Sequence, residues 1–160
     1  NREETAIILN LIHKAFPFAK DFEVLLRGHP SCPIGPLLEG LSINLQKTGY
    51  QIVEEGSLED YLSQSTVVVT GTSTVCIDAL AYGCHVITPF LNGMLNFSPL
   101  FGYEGRYTLI ENEYELKEKV NSLIGGKNQE DVLSDSAFVK DFWLVENNLN
   151  RWTNLIDQHL

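Results

Sequence analysis

The stretch "TVVVTGTSTVCIDALAYGCHVITP", residues 66–89, decides how the rest of the chain is read. Two short apolar runs, "TVVVTG" and "CHVITP", enclose a turn of small residues and a segment "STVCIDALAYG". That segment has the length of one short helix, and Gly83 supplies its stop. Strand, turn, helix and strand in this span make one crossover unit, the connection that parallel strands require. Both runs are continuous rather than alternating, as in strands buried on two faces.

Working outward, the same alternation recurs. "DFEVLLRGHP" reads as a first strand that runs into a loop at Arg27–Pro30, "YQIVEEG" as a second strand and "RYTLI" as a fifth. "REETAIILNLIHKAF" opens with acids, which suit a helix N-terminus, and sets Ile7, Ile8, Leu11, Ile12, Ala15 and Phe16 on one face. "SCPIGPLLEGLSINLQKTG" holds turn signals and a helix through Leu45 closed by Gly49. "SLEDYLSQ" is a short helix with Ser57 as its cap and Asp60 three residues on. "NEYELKEKVNSLIGG" is amphipathic with a glycine stop. A C-terminal helical segment over 136–158 repeats apolar residues at Phe138, Phe142, Val145, Leu149, Trp152 and Ile156. The expected fold is α/β, a Rossmann-like doubly wound parallel sheet of about five strands with helices on both faces, in one domain over 1–160.

A chain of 160 residues is long enough to bury one sizeable core. With 44% hydrophobic and 20% charged residues, its composition is that of a globular protein. No apolar run reaches the roughly 18 residues of a membrane span, so no transmembrane segment is expected. Eleven basic residues against 21 acidic ones leave a net charge of −10. A nucleic-acid surface needs a basic stripe to neutralise phosphates, and none is visible. Cys32, Cys76 and Cys84 are an odd number without metal-ligand spacing, which favours a reducing, cytoplasmic setting. Because Met94 is the only methionine, Asn1 is read as a position inside a longer parent.

In a doubly wound sheet ligands sit beyond the carboxyl ends of the strands. Two loops expected there carry chemistry. The first is Thr70-Gly71-Thr72-Ser73-Thr74, where free backbone N–H groups at a helix start stand beside hydroxyls and suit a phosphate or other anion. The plainer reading is that Thr72 or Ser73 only caps the helix. Asp78, at i+4 from Thr74, is placed to accept hydrogen bonds from a ribose, or is an ordinary exposed helix acid. The second loop is Arg27-Gly28-His29-Pro30. Arg27 offers a bidentate guanidinium, and His29 a proton or a hydrogen bond to phosphate oxygens. The alternative there is a solvated turn.

Other chemistries lack their residues. The chain has no GK[ST] phosphate loop, no GxGxxG at the first strand-to-helix turn and no GxSxG elbow. Thr70 stands where response-regulator chemistry needs an acid. His13, His29, His85 and His159 lack the spacing of a metal site, so no metal or cofactor is expected.

Taken together, "LLRGHP", "IVEEGSLEDYLSQSTVVVTGTSTVCIDALAYGCHVITP" and "YTLIENEYEL" resemble the C-terminal, donor-binding half of GT-B glycosyltransferases of bacterial surface polysaccharide synthesis. The likeness runs from about Phe22 to Leu123 and is closest to capsule and CDP-glycerol-type transferases. It implies a nucleotide-sugar donor, with Arg27 and His29 at the phosphates as catalytic groups. Gly71, Thr72, Ser73 and Thr74 would bind the donor at the helix start, and Asp78 would bind the sugar. In that family the last acid is usually glutamate, one methylene longer. The family's half also opens with a central strand before its first helix. Here the helix comes almost at once, so the five strands either close up in an order like 2-1-3-4-5 or leave a groove for a missing part. The resemblance further implies an N-terminal half as partner, and a place in the cytoplasm or at the inner face of the membrane. Two other readings stay open: half of a nucleotide-sugar 2-epimerase, and a non-catalytic module that binds a protein through Phe142–Trp152.

Overall fold

The computed structural model describes residues 2–29, 31–90, 96–124 and 129–143, of which 129–134 in backbone only. Its elements alternate as the sequence implies. They are α1 (Arg2–Ala15), β1 (Val24–Leu26), α2 (Gly35–Gly40), α3 (Leu45–Thr48), β2 (Tyr50–Ile52), α4 (Leu58–Gln64), β3 (Val67–Val69), α5 (Val75–Ala81), β4 (His85–Pro89), β5 (Tyr107–Ile110), α6 (Glu113–Leu123) and α7 (Gln129–Phe142).

Local chemistry sets the ends of these elements. Ser57 and Asp60 form a reciprocal capping box at the start of α4. Asn112 caps α6 by accepting from the N–H groups of Tyr114 and Glu115. Gly49 ends α3 at φ 77°, a left-handed conformation that glycine adopts without cost from a side chain. The single helix expected between Ser31 and Gly49 is two. The chain leaves α2 at Leu41, passes through Ser42 at φ 58° and restarts on the Asn44 cap. The C-terminal helix starts earlier than expected, at Gln129, and is helical to Phe142. Val145, Leu149, Trp152 and Ile156 lie outside the described residues.

All strand pairs are parallel, but the single five-stranded sheet is not formed. β1 pairs with β2, and β3, β4 and β5 pair in that order. Among the described residues no ladder joins β1 to β3, so the 2-1-3-4-5 order does not close. The physical reason lies in how the halves are held. Ala6, Leu9 and Ile12 of α1 pack into the core over β1 and β2. Leu11, Ile12, Ala15 and the following Phe16 pack with Val67, Val69, Ile87 and Ile110 of the other sheet. One helix thus joins the two sheets through side chains, where a ladder would have used backbone.

Around the three-stranded sheet the doubly wound arrangement does hold. Val67, Val69, Ile87 and Ile110 face α1 and α6, while Val68, Val86 and Tyr107 face α5 and α7. β4, in the middle, is buried along its whole length. Its neighbour β3 is only half-buried at each residue, as befits an edge. Tyr50 of β2 fastens the end of α1, donating its phenol O–H to the carbonyl of Phe16 at 2.6 Å. Burial pushes that phenol up to about 12.

Candidate functional site

α1 runs from the ligand edge of the sheets back toward the start of β1, and its first turn organises the site. On one side Arg2 and Thr5 line a cavity of about 480 Å³ together with His29, Ser31, Cys32 and Leu37. On the other, the Glu4 carboxylate accepts the Thr72 backbone N–H at 2.9 Å and the Thr72 hydroxyl at 3.2 Å. The two loaded turns, after β1 and after β3, therefore lie at the same end of the fold, on either side of one helix terminus.

At the turn after β3, Gly71 is buried and Thr72, Ser73 and Thr74 are exposed. A Cβ at Gly71 would overlap the Glu4 carboxylate, so glycine there lets Glu4 reach Thr72. Thr74 occupies the cap position of α5 in helical conformation and its side chain caps nothing. Ser73 instead accepts the Val75 N–H at 3.3 Å through its hydroxyl. Among the described residues the N–H groups of Ser73 and Thr74 have no acceptor. A carboxylate already bonded to the neighbouring N–H marks the turn as receptive to an anion.

Asp78 lies one turn into α5, half-buried, and burial raises its carboxyl above the usual aspartate range, with the Glu59 carboxylate of α4 adding to the rise. The other two candidate groups are Arg27 and His29.

Arg27 is engaged by the turn after β2. Its guanidinium donates to the carbonyls of Gly56 at 2.9 Å and Glu55 at 3.3 Å, and sits over the Tyr61 ring at 5.3 Å. Tyr61 donates its own hydroxyl to the same Glu55 carbonyl at 2.8 Å. Arg27 is thus a tie between β1 and the β2–α4 turn. His29 closes a tight turn with Cys32, whose N–H donates to its carbonyl at 2.7 Å. Gly28 permits that turn, since a Cβ would meet the Cys32 carbonyl at 2.9 Å.

Sequence reasoning missed Arg2, Glu4, Thr5 and Ser31. The acids of "REET" read as stabilisers of the helix end, and the useful signal was topological. A helix that feeds the first strand of a parallel sheet begins at the edge where ligands bind. Among the described residues no three His, Cys, Asp or Glu side chains form a metal-binding group, and no helix is long and apolar enough to cross a membrane. Set against protein-family models, curated proteins and solved structures, the chain shows no match.

Proposed function

We propose that this chain is the donor-binding half of a GT-B-type glycosyltransferase that transfers a sugar, or a related group, from a nucleotide donor in surface carbohydrate synthesis. The observation that carries the reading is the placing of both loaded turns around the first turn of α1: His29 beside Arg2, and Thr72 on Glu4. A diphosphate held there meets the N–H groups of Ser73 and Thr74 on one side and His29 on the other, with Thr72 as a further donor once Glu4 gives way. These donors stabilise the leaving phosphate as negative charge develops. Arg27 holds the β2–α4 turn on the same rim, where a ribose and base would rest. The lack of pairing between β1 and β3 also supports the resemblance, because the family's extra central strand belongs between such neighbours. The parent's other half would bring the acceptor.

The test is titration of ¹⁵N-labelled protein with UDP, GDP, CDP and CMP. Amide shifts should cluster at residues 71–74 and at His29 with one nucleotide favoured. If none of the four moves the Ser73 or His29 resonances, the reading fails.

A further inference from the structure

The donor reading leaves open which nitrogen of His29 meets the ligand and what holds the ring. The Nδ1 atom of His29 lies 2.7 Å from the Ser31 hydroxyl oxygen and 3.2 Å from the Ser31 backbone nitrogen. A backbone N–H can only donate, so Nδ1 serves as the acceptor and carries no proton in this arrangement. The proton of the neutral ring is then on Nε2, which has no partner among the described residues. Ser31 and His29 both line the cavity that Arg2 and Thr5 close from the side of α1.

We infer that Ser31 is a positioning residue, which fixes His29 as an Nε2–H donor, and that His29 and Arg2 together form an oxyanion subsite in this cavity. Its ligand is a phosphate group, held by a neutral imidazole N–H and a guanidinium. The apolar wall of Leu37, Pro33 and Pro36 lies below, suited to an uncharged part of the same molecule. The inference deepens the donor reading, from which it takes its ligand class. It assigns His29 a hydrogen-bonding task at Nε2, where a proton donor acting through Nδ1 would need Ser31 to turn away. No proton is transferred in the ground state described here.

The experiment is ¹⁵N NMR of the histidine rings, at a pH well above the ordinary histidine range, with inorganic phosphate as the probe. Wild-type protein should show His29 protonated on Nε2, and phosphate should shift Nε2 and the Arg2 side-chain resonance. Ser31→Ala keeps the backbone N–H, and with it the Nε2–H tautomer, but loses the hydroxyl that holds the ring in place. It should weaken phosphate binding about two- to tenfold, the worth of one hydrogen bond. Ser31→Thr, which keeps the hydroxyl, should restore the affinity. Arg2→Gln should lower phosphate affinity without changing the tautomer. A ring protonated on Nδ1, a Ser31→Ala protein that binds phosphate as tightly as wild type, or phosphate that moves neither His29 nor Arg2 overturns the inference. Phosphate binding at His29 with no nucleotide bound by the same protein leaves it standing and removes the donor reading alone.

Discussion

Glu4 and Thr72, 68 positions apart in the chain, are joined by two hydrogen bonds from one carboxylate, at 2.9 Å to the backbone N–H and 3.2 Å to the hydroxyl. The contact anchors α1 to the turn after β3, and it places a negative group where the donor reading puts a phosphate. Removing it has opposite effects on stability and on binding. Glu4→Ala should lower stability by about 1 kcal/mol, the usual net worth of such a bond, while raising nucleotide affinity because a competing anion is gone. Thermal unfolding with and without nucleotide measures both. Loss of affinity in Glu4→Ala would show that the carboxylate supports the site instead of competing for it.

Arg27 spends its guanidinium on two carbonyls and a ring, all within Glu55–Tyr61. Arg27→Ala should therefore cost about 1 kcal/mol of stability and loosen the β2–α4 turn, seen as faster amide exchange at Gly56 and Ser57. Inorganic phosphate affinity should stay within a factor of about two, since no full hydrogen bond to it is lost. A large loss of phosphate binding would return Arg27 to direct contact with the ligand.

Asp78 has its carboxyl raised by burial and by Glu59. With the folded value above the unfolded one, the fold prefers the protonated form. The contribution to stability is whole below the ordinary value of 3.8 and is lost as pH rises through the raised value. Asp78→Asn, neutral at every pH, should accordingly unfold at higher temperature than wild type near neutrality. Its advantage should vanish in acid. A Tm difference that does not depend on pH would rule out this origin.

The three thiols differ in access. Cys76 and Cys84 are fully buried, and burial pushes the Cys76 thiol up to about 11, while Cys32 is partly exposed in the cavity beside His29. A thiol reagent added to the folded protein should modify Cys32 at once and the other two only on unfolding. Phosphate bound in the cavity should slow the first reaction. Rapid modification of all three would contradict the packing around α5.

Asp135 of α7 is fully buried and accepts from the guanidinium Nε of buried Arg106 and from the Tyr103 hydroxyl. Asp135→Ala leaves that guanidinium charged and unpaired, so about 3–5 kcal/mol of stability should go. Denaturant melts followed by tryptophan fluorescence would report it. A loss under about 1 kcal/mol would mean that Arg106 finds another acceptor.

Much of this was legible in the chain. "TVVVTG" and "CHVITP" became β3 and β4, and the Ser57 and Gly49 signals became a cap and a stop. The break missed between α2 and α3 turned on Ser42, whose left-handed backbone no propensity rule would assign to serine. The full sheet was misjudged because apolar runs of three residues announce strands without saying which strand lies beside them.

The sequence by itself determined the order and type of the elements, because hydrophobic period, caps and glycine stops act over a few neighbouring residues. Only the tertiary structure decided that β1 and β3 do not pair, that Arg2 and Ser31 line one cavity with His29, and that Glu4 bonds Thr72. Those are contacts between residues far apart in the chain, made when α1 packs across both sheets, and no local pattern encodes them.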